Sequence, residues 1–154
     1  MPHLPGPERL RIVHQTGVAM RSRVADAYAA AGRAAEVLEF LDDMESRFAE
    51  ADLVLCRSGA TTCAELTAAG KASVLVPFAL AADDHQRSNA LALQSAGAAR
   101  MIEEKDLGGA VLAQAVMETL ETPGRLEAME DAARAVGRPD AAARVADLLE
   151  SGNV

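Results

Sequence analysis

Ala51-Asp-Leu-Val-Leu-Cys-Arg-Ser-Gly-Ala-Thr-Thr-Cys-Ala-Glu65 decides how this chain is read. Residues 53–56 are a short apolar run of strand length, Ser58-Gly59 is a turn, and 60–69 read as a helix closed by Gly70 at its C′ position. A strand, a tight turn of small residues and a helix start leave backbone N–H groups pointing outward at the positive end of the helix dipole. Gly59 has no side chain to hold a ligand off, so an anion such as a phosphate fits there. Glu65, one turn into the helix, is a poor neighbour for a phosphate but can accept hydrogen bonds from a diol such as ribose. Together they suggest a nucleotide. A plainer reading stands beside it: Thr62-x-x-Glu65 has the spacing of a capping box, in which both residues only close off the helix start.

Outward from that stretch, strands and helices alternate. Residues 10–14 read as a strand, Gln15-Thr16-Gly17 as a turn, and 18–31 as a helix ending at Gly32. A strand over 35–41 follows, and Asp42-x-x-Glu45 is a capping box opening a short helix that reaches about Glu50. Beyond Gly70, 73–76 is a fully apolar strand stopped by Pro77, with a loop over 78–82. Asp83-x-x-Gln86 makes a third capping box, leading a helix that ends near Ala96-Gly97. A last strand spans 98–102, and helices cover 106–121, 123–136 and 141–149. The strands are continuous apolar runs, as in a parallel sheet covered on both faces, so the expected fold is a doubly wound α/β sheet. Ligands of such folds bind beyond the carboxyl ends of the strands. Every polar cluster follows a strand: 15–17, Asp42-Asp43, 57–59 and 83–89.

The 154 residues fit one domain, large enough to bury roughly two thirds of the unfolded surface. Twenty-three acids against 15 bases give a net charge of −8 with no basic block, which argues against a nucleic-acid surface. With no Trp, one Tyr and three Phe, base-stacking platforms are also absent. The sequence carries neither a signal-peptide pattern nor a run of about 18 apolar residues, so it reads as cytoplasmic. Cys56 and Cys63 lack the companions of a zinc site and read as core residues, and His3, His14 and His85 are too scattered to suggest a metal.

His14-Gln15-Thr16-Gly17, Phe40-Leu41-Asp42-Asp43-Met44, Cys56-Arg57-Ser58-Gly59-Ala60-Thr61-Thr62-x-x-Glu65 and Pro77-Phe78 followed by Asp84-His85-Gln86-x-x-Asn89-Ala90 together resemble the MurG family, in order and over essentially the whole chain. That family moves N-acetylglucosamine from UDP-GlcNAc onto lipid I, making lipid II for the peptidoglycan cell wall. The resemblance implies the C-terminal, donor-binding half of a GT-B glycosyltransferase, a hexosyltransferase needing no cofactor or metal. It further implies that Leu41 holds uracil through its backbone, that Ser58, Gly59, Ala60 and Thr61 present the helix start to the diphosphate, and that Glu65 binds the ribose. Gln86 would bind the sugar hydroxyls, with His85 and Asn89 shaping that loop. Arg57 would lie beside the phosphates, with an acid such as Glu65 or Asp84 as an alternative partner. No residue here is expected to act as catalytic base.

The sequence departs from the family pattern in two places. Ala79-Leu-Ala-Ala stands where a proline is usual, and so does Ala72. The acceptor- and membrane-binding N-terminal domain has no counterpart, nor does the Gly-Gly-Ser-x-Gly-Ala strand and loop expected before Leu10 in sequence and, within the sheet, between the strands at 10–14 and 53–56. The isolated chain is therefore expected to be inactive and marginally stable, with lipid I and the inner face of the cell membrane met only through the absent half. Two alternatives remain: the donor-binding subunit of a split N-acetylglucosaminyltransferase, and a non-catalytic α/β domain whose capping boxes are only caps.

Overall fold

The computed structural model describes residues 10–80 and 84–151; the N-terminal loop at 1–8 and the cap expected of Asp83 lie outside them. Five strands alternate with helices: β1 Val13–Gln15, a 3-10 turn at Val18–Met20, α1 Arg21–Ala30, β2 Glu36–Leu38, α2 Met44–Glu50, β3 Val54–Cys56, α3 Ala60–Ala68, β4 Ser73–Leu75, α4 His85–Ser95 and β5 Ala99–Met101. A 3-10 turn at Glu104–Asp106 then leads into α5 Gly109–Glu121, α6 Arg125–Val136 and α7 Ala141–Glu150. All ladders are parallel, as the continuous apolar runs predict. The strands are shorter than expected, and Gln15 belongs to β1 rather than to the turn after it.

The strands form two sheets, β1 with β2 and β3-β4-β5, and no ladder joins β1 to β3 among the described residues. β4 is the middle strand of the larger sheet and all three of its residues are buried. Its alternation supplies both faces, because successive side chains point opposite ways. Leu75 joins Phe48, Cys63, Leu66, Ala90 and Ala99 beneath α2, α3 and α4. Val74 and Val76 join Ile102 and Ala115 on the α5 side, with Leu53 and Leu112 against them. Cys63 is buried and Cys56 packs on the same cluster, which fits their reading as core residues. Burial pushes the Cys56 thiol up to about 12, so it stays protonated and unreactive at neutral pH.

In the smaller sheet, His14 Nδ1 lies 3.1 Å from the Tyr28 hydroxyl with the rings edge to face, which fastens α1 onto β1. Arg47 of α2 reaches Glu36 of β2, and Arg11 reaches Glu50. Not every strand residue is covered. Leu55, in the centre of β3, is 48% exposed, against the expectation of a strand buried on both faces. Val18 and Phe40, which follow β1 and β2, are also exposed.

Candidate functional site

The loops after β1, β2, β3, β4 and β5 gather at the carboxyl end of the strands, where the sequence places its polar clusters. The turn after β3 is the centre. Gly59 is the N-cap of α3, with φ −60° and ψ 150°, and no side chain caps this helix start. The first backbone bond in the helix runs from Cys63 N–H to Gly59 C=O, so the N–H groups of Ala60, Thr61 and Thr62 have no intrahelical acceptor. The backbone at Gly59 does not require glycine, and a Cβ there would meet nothing closer than Thr62 Oγ1 at 3.9 Å. Neither strain nor packing demands this glycine, although glycine is a favoured N-cap residue, and it leaves open space at the helix start.

This geometry corrects the capping-box reading of Thr62 and Glu65. A box needs Thr at the N-cap and Glu at the third helical position, whereas α3 starts at Ala60, so Thr62 is already the third residue of the helix. Glu65 is exposed, and its carboxylate makes no hydrogen bond or ion pair to the described residues. The other two boxes also differ from expectation. Asp43 sits at the N-cap of α2 with φ −115° and ψ 54°, away from the extended conformation that aims a cap, and its carboxylate instead accepts from Arg47 Nε at 3.1 Å. Before α4, Asp84 is left-handed with φ 56° and ψ 21° and makes no cap bond.

Gln86 does not cap α4 either. Its Oε1 accepts from Phe78 N–H at 3.0 Å, and its backbone carbonyl accepts from the buried Ser58 hydroxyl at 2.7 Å. Asn89 Nδ2 donates to Ser58 C=O at 3.0 Å. The Ser58-Gly59 turn is thereby locked to the first turns of α4, which brings the residues expected to meet a diphosphate beside those expected to meet a sugar. His85 is exposed on the same turn.

Arg57 pairs with neither Glu65 nor Asp84. Its Nη2 donates to Glu104 Oε1 at 2.5 Å, and its Nη1 donates to the carbonyls of Val76 and Pro77 at 3.3 and 3.1 Å. The guanidinium lies 5.3 Å from the centre of the Phe78 ring. Those carbonyls follow β4 directly and offer a guanidinium acceptors on one side while Glu104 completes the other. Glu104 Oε2 also accepts from Ala79 N–H at 2.9 Å. That N–H bond first, and Arg57 second, hold the carboxyl below the usual glutamate range. Glu104 was missed by sequence reasoning, although it follows β5 at the same end of the sheet as the other polar clusters.

At the far side, Leu41 N–H donates to Gln15 Oε1 at 2.9 Å. The backbone group expected to read a base is therefore taken by a side-chain amide from β1. Among the described residues no group of His, Cys, Asp and Glu is placed to hold a metal ion.

Comparison with known proteins accords with this architecture. The family model described as glycosyltransferase family 28 C-terminal domain matches residues 4–145. The chain belongs to that family. It is 52% identical over 149 residues to the UDP-N-acetylglucosamine--N-acetylmuramyl-(pentapeptide) pyrophosphoryl-undecaprenol N-acetylglucosamine transferase of Anaeromyxobacter sp. (strain K), covering 96% of this chain and 39% of the relative. The protein of the same name from Citrifermentans bemidjiense is 47% identical over 154 residues, covering 99% and 43%. The structure of Acinetobacter baumannii MurG superimposes with a TM-score of 0.86 at 37% identity, over 97% of this chain and 43% of that one. The glycosyltransferase VinC, solved with DTDP, shares the fold at a TM-score of 0.62 and 17% identity, covering 96% of this chain and 45% of that one. The resemblance to the MurG family and the doubly wound GT-B fold are borne out. The chain spans about two fifths of the length of these curated relatives.

Proposed function

We propose that this family 28 domain binds UDP-GlcNAc and serves as the donor-binding half of an N-acetylglucosaminyltransferase that converts lipid I to lipid II. The observation that carries the reading is the open start of α3: three N–H groups without an intrahelical acceptor, a glycine that packing does not require, and on the same helix Glu65, which has no partner among the described residues. The diphosphate would lie on the N–H groups of Ala60, Thr61 and Thr62, where aligned peptide dipoles favour negative charge. Glu65 would accept from the ribose hydroxyls. With Gln86 Oε1 already committed to Phe78, its Nε2 is the group that would donate to a sugar hydroxyl. The uracil would pair with the Leu41 backbone by displacing Gln15. As UDP departs during transfer, the same N–H groups would stabilise its growing charge, an electrostatic role that calls for no covalent intermediate.

We further infer that a strand supplied from outside the described residues fits between β1 and β3. Among the described residues β1 and β3 each have one edge without a ladder, and the exposed Leu55 would be covered by such a strand. The acceptor, its catalytic base and membrane association would belong with that additional structure.

Calorimetric titration with UDP and UDP-GlcNAc, on the wild-type chain and on Glu65→Ala, tests the donor reading. Removing an exposed carboxylate that has no partner among the described residues leaves the fold intact, so affinity for both nucleotides is expected to fall about tenfold, the scale of one hydrogen bond to a charged group. Equal affinity in the variant would remove the ribose role.

A further inference from the structure

Three segments at the carboxyl end of the sheet meet on one carboxylate. Glu104 takes the Arg57 guanidinium of the β3 turn on Oε1 and the Ala79 N–H of the loop after β4 on Oε2, while sitting on the 3-10 turn after β5. Between those two anchors the 76–79 segment is also held by Arg57, through the carbonyls of Val76 and Pro77 and the face of Phe78. The next link is Phe78 N–H, which donates to Gln86 Oε1. The orientation of the Gln86 amide therefore depends on where the loop holds Phe78.

We propose that Glu104 is a positioning residue for the donor sugar: by tying Arg57 to Ala79 it fixes the loop after β4, which fixes the Gln86 amide with its Nε2 turned to the sugar. This rests on the reading of Gln86 given above. Each carboxylate oxygen serves a different donor, so a glutamine at 104 in the same orientation turns its NH2 group towards one of them and loses that hydrogen bond. The neighbouring Glu103 makes a separate tie, to Arg87 Nε on α4 at 2.7 Å, so the helix carrying Gln86 stays in place when Glu104 is removed. The groups assigned above to UDP, on Leu41, on Ala60, Thr61 and Thr62 and on Glu65, do not touch Glu104; Arg57, expected beside the phosphates, has its guanidinium taken up by Glu104 and the carbonyls of Val76 and Pro77.

The test compares wild type, Glu104→Ala, Glu104→Gln and Gln86→Ala in the full chain, by two readouts. The first is the ratio of the UDP and UDP-GlcNAc dissociation constants. Glu104→Ala is expected to reduce the gain contributed by the sugar about tenfold, the scale of one lost hydrogen bond, while leaving UDP itself within about twofold. Glu104→Gln should fall between it and wild type. The second is amide hydrogen exchange, expected to accelerate in Glu104→Ala at Ala79 and also at Phe78, whose N–H does not touch Glu104. A parallel loss of UDP and UDP-GlcNAc binding would overturn the proposal, since a merely structural role affects both alike. Unchanged Phe78 exchange would overturn it as well. If Gln86→Ala leaves the ratio unaltered while Phe78 exchange responds to Glu104→Ala, the loop tie is real but the sugar reading of Gln86 fails, and the proposal fails with it.

Discussion

Substituting Gly59 separates a ligand's demand from the fold's demand more sharply than any other change. In Gly59→Ala the backbone stays at φ −60° and ψ 150°, a conformation open to every residue, and the new methyl lies 3.9 Å from its nearest neighbour, Thr62 Oγ1. Fewer unfolded conformations should stabilise the chain by about 0.4–1 kcal/mol. Alanine is a poorer N-cap than glycine, at a cost of about 0.5–1 kcal/mol, so the two effects nearly cancel. The melting temperature should therefore move by less than about 4 °C. Binding should respond very differently, because the methyl enters space beside the α3 start that the fold leaves open and that the proposed diphosphate needs. Losing one hydrogen bond to a charged phosphate costs about 1.5–3 kcal/mol, or about ten- to a hundredfold in affinity. Thermal melts followed by UDP titration read both quantities on one sample. An unchanged dissociation constant would refute the assignment of the α3 start to a phosphate. A loss of affinity that tracks a fall in melting temperature would refute the argument that the fold does not need this glycine.

Other expectations follow from particular contacts. Gln15→Ala frees Leu41 N–H, so UDP should bind about two- to tenfold tighter, the worth of one neutral hydrogen bond no longer displaced; weaker binding would mean that Gln15 organises the loop instead. Leu66, fully buried between α3 and β4, should cost about 2–5 kcal/mol as Leu66→Ala, read as an earlier denaturant midpoint with unchanged slope. Glu104 binds its proton less readily in the folded chain than its ordinary value of 4.5, so its contribution to stability is fully present above that pH and is lost as the pH falls further. Glu104→Gln should accordingly flatten the acid limb of the stability profile below about pH 4.5; an unaltered limb would show that the carboxylate is not held by Ala79 and Arg57.

The sequence carried the alternation of elements well, because apolar runs such as 53–56 and 73–76 have few other stable arrangements. Gly70 at a left-handed φ of 64° after α3 was legible for the same reason, since few other residues adopt that backbone. The caps were not legible. The spacing of Thr62 and Glu65 fits a capping box only if the helix starts at Thr62, and a helix start is poorly fixed by sequence. Asp43 had a stronger partner in Arg47, four residues on, than in any backbone N–H. The partner of Arg57 was hidden by distance along the chain: Glu104 lies 47 residues away, and only the parallel order β3-β4-β5 brings it close. Gln15 and Leu41, 26 residues apart, meet through the pairing of β1 with β2 in the same way.

Amide-resolved NMR during a UDP titration tests the central claim most directly. If the start of α3 is the diphosphate site, the largest shifts will fall on the N–H resonances of Ala60, Thr61 and Thr62, with a second group at Leu41 as Gln15 is displaced. Saturation with the largest shifts elsewhere, or no shifts at these four amides in a chain whose spectrum is that of a folded protein, would contradict the account.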